Sequence, residues 1–116
     1  MRCVARGQQP QRLCNRLMAQ PPAKPCWRWL DAHGAGRRYA VETGGTRRYD
    51  QVAFQPGDAL VFGAEGPGIA AEDLARFAPE DILQLPMLPG NRSVNLSNTV
   101  AIVAYEAWRQ QGFAGG

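Results

Sequence analysis

Leu96, Val100, Val103, Ala104, Ala107 and Trp108 recur at the three- and four-residue spacing of one α-helical face. This is the clearest period in the chain. It predicts a helix over Asn95–Gln111, with Gly112 placed for a left-handed C-terminal cap. Upstream, the apolar positions come in short runs. Arg38–Glu42 and Ala59–Phe62 are each followed by glycine and Ile82–Leu85 is stopped by Pro86, so all three read as buried strands. Between the second and third, Ala70–Phe77 carries Glu72 and Asp73 in its first turn, where negative charge suits the helix dipole, and it reads as a helix. Strand, helix, strand implies a parallel α/β layer. Met1–Pro25 sustains no such pattern and is punctuated by Pro10, Pro21, Pro22 and Pro25. It is expected to be poorly ordered apart from a short helix at Gln11–Ala19.

A length of 116 residues with 45% hydrophobic and 20% charged positions fits one domain, here 27–116, preceded by the basic segment 1–26. No apolar run approaches the roughly 20 residues needed to cross a bilayer, and Met1–Gln20 has no secretory core, so a soluble, cytoplasmic chain is expected. Cys3, Cys14 and Cys26 cannot all pair with one another and lack CxxC spacing, which suits a reducing compartment. Cys26 with His33 makes at most half a metal site, and no metal is expected.

The net charge of +3 conceals an asymmetry: residues 1–48 hold ten Lys/Arg against two Asp/Glu, whereas 49–116 hold three against eight. The arginines lie beside aromatics, as in Trp27-Arg28-Trp29, Arg37-Arg38-Tyr39 and Arg47-Arg48-Tyr49. That combination fits phosphate contacts and base stacking on nucleic acid, and it fits a solvated basic arm equally well. Arg37, Arg38, Arg47 and Arg48 are the candidate RNA contacts.

Two stretches have the composition of a site. Phe62-Gly63-Ala64-Glu65-Gly66-Pro67-Gly68-Ile69 follows a strand, where missing side chains let a ligand approach the main chain; it is neither a P-loop nor GxGxxG. Asn91-Arg92-Ser93-Val94-Asn95-Leu96-Ser97-Asn98 gathers hydroxyls and amides at a helix start, which ordinary capping also explains. The loop before it, from Pro86, is costly to fix, so its shape is expected to matter.

Taken in order, Leu60–Ile69, Leu85–Asn98 and Tyr105-Glu106-Ala107-Trp108-Arg109 resemble the knotted SPOUT methyltransferases, and within them the TrmL branch of tRNA 2'-O-methyltransferases that act on the wobble nucleotide. The resemblance runs from about Trp27 to Phe113. It implies a parallel α/β sheet with a C-terminal trefoil knot, in which the loop before the last helix passes through an earlier loop. It implies S-adenosylmethionine as cofactor, a tRNA anticodon loop as partner, and a homodimer whose interface includes Tyr105, Trp108 and Phe113. By position, the cofactor lining maps to Val41, Gly63, Leu85 and Ser93 with Leu96 beside them, and the active centre to Glu65, Ser93 and Asn95. The opening strand and Asn-Thr-Gly-Asn segment of this family have no counterpart in Met1–Cys26, where only Arg12-Leu13-Cys14 echoes the family's arginine. N-terminal strands are therefore expected to be missing, leaving a bare sheet edge. The alternative to an enzyme is a non-catalytic fragment or RNA-binding module that keeps the cofactor pocket.

Overall fold

A computed structural model describes residues 27, 30, 31, 36–63, 67–90 and 95–116, together with the main chain of 2–5. Its sheet has five strands in the order β1-β4-β2-β5-β3. These are β1 (Arg2–Ala5), β2 (Arg38–Val41), β3 (Arg47–Arg48), β4 (Ala59–Phe62) and β5 (Ile82–Gln84). Strands β4, β2, β5 and β3 run parallel, as the strand-helix-strand pattern predicts. They are flanked by α1 (Ala71–Leu74) and α2 (Leu96–Gln110), and Trp27, Leu30 and Asp31 are helical as well.

Alternation along the strands separates two cores. Tyr39, Val41, Leu60, Phe62 and Leu83 face one side, where Val100 and Val103 of α2 meet them, with Leu96 and Ala107 packed alongside. Ala40, Ala59 and Val61 face the other, with Leu30, Ile69 and Phe77. The helical face read from sequence is thus the buried face, and Val103 is wholly inaccessible. At its end, Gly112 has φ +67 and its N–H reaches Arg109 O, while Phe113 N–H reaches Trp108 O. This is a Schellman closure, formed where a glycine stands in the sequence.

Three expectations change. Helix α1 is shorter than Ala70–Phe77: Arg76 and Phe77 bond to carbonyls three residues back, and Ala78, preceding Pro79, is extended with ψ 149. The short pair Arg47–Arg48, read only as a basic cluster, is an edge strand. And the edge of β4 expected to be bare is covered by β1, which pairs antiparallel with Arg2 opposite Phe62 and Ala5 opposite Ala59. A free edge of main-chain donors and acceptors accepts such a strand whatever its side chains. The helix expected at Gln11–Ala19 lies outside the described residues.

The passage from β2 to β3 is unusually tight. Val41 and Arg47 are both partners of Leu83, from opposite sides of β5. The intervening residues 42–46 cross that strand, held by Glu42 N–H to Leu83 O at 2.9 Å and Thr46 N–H to Ile82 O at 3.1 Å. Gly45 makes the crossing possible, because a β-carbon there would stand 2.5 Å from the Leu83 carbonyl carbon.

Candidate cofactor and active site

The parallel strands end along one edge of the sheet, where Val41 is level with Phe62 on one side and Leu83 on the other. The chain leaves β4 through Gly63 and β5 through Leu85. Val41 and Leu85 are buried in the same apolar cluster, and Leu96 packs against it from the first turn of α2. The fold therefore brings Val41, Gly63, Leu85 and Leu96 to one edge, which in α/β sheets is where ligands bind. The donor set fits an adenosyl group: apolar side chains suit a flat heterocycle, and strand-end main chain suits its polar rim. Glu65 and Ser93 lie outside the described residues, as do Arg12, Cys26 and His33.

Gly63 is buried against its own loop. A β-carbon on it would stand 2.6 Å from Gly68 Cα and closer still to the Gly68 carbonyl carbon and the Ile69 nitrogen. The sequence reading left this space for the ligand; the structure fills it with main chain. The return of the loop is fixed by a residue that sequence reasoning missed. Glu42, immediately after β2, accepts Ile69 N–H at 2.8 Å on Oε2, while its Oε1 accepts Thr43 N–H at 3.0 Å. Gly68, with φ +71, lies so close to this carboxylate that a β-carbon would stand 2.5 Å from Oε2. The available signal was a carboxylate at the end of an apolar run, but nothing local says that its partner is Ile69, 27 residues on.

Asn95 is the N-cap of α2. Its Oδ1 accepts Ser97 N–H at 2.9 Å and its main-chain carbonyl accepts Thr99 N–H at 2.9 Å. The capping explanation of the Asn91–Asn98 cluster is therefore realised at this residue.

The candidate RNA contacts are already engaged within the chain. Arg37 makes a two-pronged pair with Asp58 and also donates to Ala53 O, so its guanidinium is pushed above its ordinary range, chiefly by the Asp58 hydrogen bond. Arg38 pairs with Asp31, Arg48 with Asp50, and Arg47 donates to Gln51 O at 3.1 Å. Arg37 and Arg38 also sit at the amino end of β2, the opposite end from Val41. There a groove of about 550 Å3 is lined by Trp27, Gly36, Arg38, Arg76, Phe77 and Asp81. Arg76 lies over the Trp27 ring at 4.6 Å, yet Asp31, Asp73 and Asp81 offset its charge and that of Arg38.

On the outer side of α2, Ile102, Tyr105 and Phe113 are 38%, 60% and 44% exposed. Trp108 ties this surface together, with Tyr105 edge-on at 5.6 Å and Phe113 edge-on at 5.0 Å. Among the described residues there is no metal-binding group of three or more His, Cys, Asp or Glu, and no helix is long and apolar enough to cross a membrane.

Known proteins match this α/β sheet with its glycine loop and terminal helix, and they place the chain in a family. Residues 15–105 match the SpoU rRNA Methylase family, and the chain belongs to it. It is 56% identical over 86 residues to a tRNA (cytidine(34)-2'-O)-methyltransferase of Burkholderia pseudomallei, a match covering 74% of this chain and 55% of the relative. The protein of that name from Escherichia coli K12 is 44% identical over 87 residues, covering 75% and 55%. The chain thus spans about half the length of these relatives. A solved structure described as giving insights into 2-OH methylation of C/U34 on tRNA superposes with TM-score 0.66 at 38% identity, covering 73% of this chain and 55% of that one. The SpoU methyltransferase AviRb of Streptomyces viridochromogenes, solved with AdoMet, superposes at 0.65 with 20% identity over 81% of this chain and 38% of that one, a likeness of fold.

Proposed function

We propose that this chain carries the cofactor-binding part of an S-adenosylmethionine-dependent tRNA 2'-O-methyltransferase, acting on the ribose of the wobble cytidine or uridine in the anticodon loop. The observation that carries this reading is the 56% identity to a tRNA (cytidine(34)-2'-O)-methyltransferase, over the region whose strand ends bring Val41, Gly63, Leu85 and Leu96 together.

Val41, Leu85 and Leu96 would hold the adenosyl group between apolar side chains, with the main chain at Gly63 and Leu85 meeting its polar rim. When bound, the cofactor supplies a methyl group on a sulfonium, which leaves as a neutral thioether. The attacking 2'-oxygen forms the new C–O bond and loses its proton. Such a transfer asks for alignment and a proton acceptor more than for covalent help. Glu65, Ser93 and Asn95 are the proposed polar residues of that centre, with the side chain of Asn95 also serving the helix cap. The trefoil knot of the family, in which the loop before the last helix passes through an earlier loop, is part of the proposal. A homodimer in the cytoplasm completes the proposal, its interface anchored by the exposed Tyr105 and Phe113 and by Trp108; large aromatics suit such a role.

Calorimetric titration with S-adenosylhomocysteine, followed by transfer of labelled methyl to bulk tRNA and nucleoside analysis, tests the reading. Binding with label on the 2'-oxygen of residue 34 is the expected result. Binding without transfer would favour a non-catalytic module, and no binding would overturn the proposal.

A further inference from the structure

We infer that Glu42 is a positioning residue for the cofactor edge: its carboxylate joins the turn after β2 to the glycine loop after β4 and sets the gap between them. The inference rests on the methyltransferase reading. Its structural basis is independent of that reading. One oxygen, Oε2, takes Ile69 N–H at 2.8 Å; the other takes Thr43 N–H at 3.0 Å and lies 3.3 Å from Thr43 Oγ1. Donors from both loops thus converge on a single carboxylate. No ion pair to Glu42 occurs among the described residues.

The surroundings leave the loop few other ways to sit. Ile69 is buried in the core on the α1 side, Gly68 abuts the carboxylate, and Gly63 abuts Gly68. Turn and loop also flank the two positions, Val41 and Gly63, that the cofactor reading assigns to its lining. Glu42 touches none of the reacting atoms in this account. It acts by holding two stretches of main chain at the separation the ligand requires, so its loss should appear in binding and leave the chemical step intact.

The test compares the parent with Glu42→Gln and Glu42→Ala. Gln keeps the shape but can offer only one carbonyl oxygen, and turns an N–H2 toward the second donor. Hydrogen bonds to a charged group correspond to about tenfold or more in an equilibrium. Glu42→Ala should therefore weaken S-adenosylhomocysteine at least about tenfold and raise KM for S-adenosylmethionine in parallel, with Glu42→Gln between it and the parent. kcat at saturating substrates should stay within about twofold, as for an interaction that supports binding alone. Amide exchange at Ile69 should accelerate in both variants, a readout that needs no ligand. Should Glu42→Ala fail to fold, Glu42→Gln decides by the same measurements. Unchanged affinity and unchanged Ile69 exchange in a folded variant would overturn the inference, as would a fall in kcat with KM constant. A parent that binds no S-adenosylhomocysteine would instead overturn the methyltransferase reading, leaving Ile69 exchange to judge the clamp.

Discussion

Gly63 and Gly68 lie main chain against main chain, close enough that a β-carbon on Gly63 would stand 2.6 Å from Gly68 Cα. Any side chain at 63 must therefore displace the loop before it meets a ligand. Gly63→Val should lose cofactor binding and also cost roughly 1–3 kcal/mol or more of stability, as overpacking against main chain does. Urea denaturation alongside calorimetry checks this. Full stability with binding lost would restore the simpler view in which position 63 meets only the ligand.

Asn95 has a structural duty that can be separated from a catalytic one. Asn95→Ala should cost about 1 kcal/mol through loss of the cap, whereas Asn95→Ser should preserve most of it. Thermal unfolding gives the stability of each. If Asn95→Ser is as stable as the parent and still loses methyl transfer, the amide itself serves the reaction; if it retains transfer, capping is its contribution.

The arginines should divide by position. Arg47 and Arg48 form the edge strand β3, while Arg37 braces the segment before β4 through Asp58 and Ala53 O. Replacing Arg47 and Arg48 together by Ala should lower tRNA affinity and flatten its dependence on salt by up to about two phosphate contacts. Arg37→Ala should change that slope little and reduce stability instead. Binding titrations across a salt series separate the cases, and a changed slope in Arg37→Ala alone would reverse the assignment.

Glu106 gives the molecule an acid-sensitive contact. Its carboxylate accepts from Arg109 Nε and Nη2, both at 2.8 Å, and from Gln110 Nε2 at 3.0 Å. The Arg109 bonds foremost, then the Gln110 bond, hold it below the ordinary glutamate value of 4.5. Because the folded chain lowers this value, the contribution is complete above the ordinary glutamate range and is lost as pH falls through the lowered one. The same Gln110 amide donates to Val52 O at 2.9 Å and accepts Phe54 N–H at 2.8 Å, so weakening Glu106 loosens the seat of α2. Parent and Glu106→Gln should differ in melting temperature at neutral pH and converge only as pH falls through the lowered Glu106 value. A constant gap across that range would show that the charge is not involved.

Much of the scaffold was written locally. The three- and four-residue spacing from Leu96 to Trp108 defined α2 and its buried face, and Gly112 stood where the helix had to close. The short apolar runs marked β2, β4 and β5 to within a residue, because a buried strand must be apolar on both faces. That Val41, Gly63 and Leu85 share one end of the sheet was legible because each stands at the end of such a run and parallel strands end at a common edge; their place in a cofactor site came from the family resemblance and remains part of the proposal.

What the sequence could not state were pairings between distant segments. Arg47–Arg48 became a strand because the turn at Gly45 carries the chain across Leu83, and β1 formed because β4 offered unpaired main-chain groups; neither cause is a local propensity. Arg37 looked available until the fold set Asp58, 21 residues on, beside it. Glu42 looked like the polar end of a strand. Only the folded chain, by bringing Ile69 within 2.8 Å of it, made it the joint between two loops. Periodicity reports which residues are buried, whereas a hydrogen bond depends on which donor arrives beside which acceptor, and that is decided by the tertiary structure.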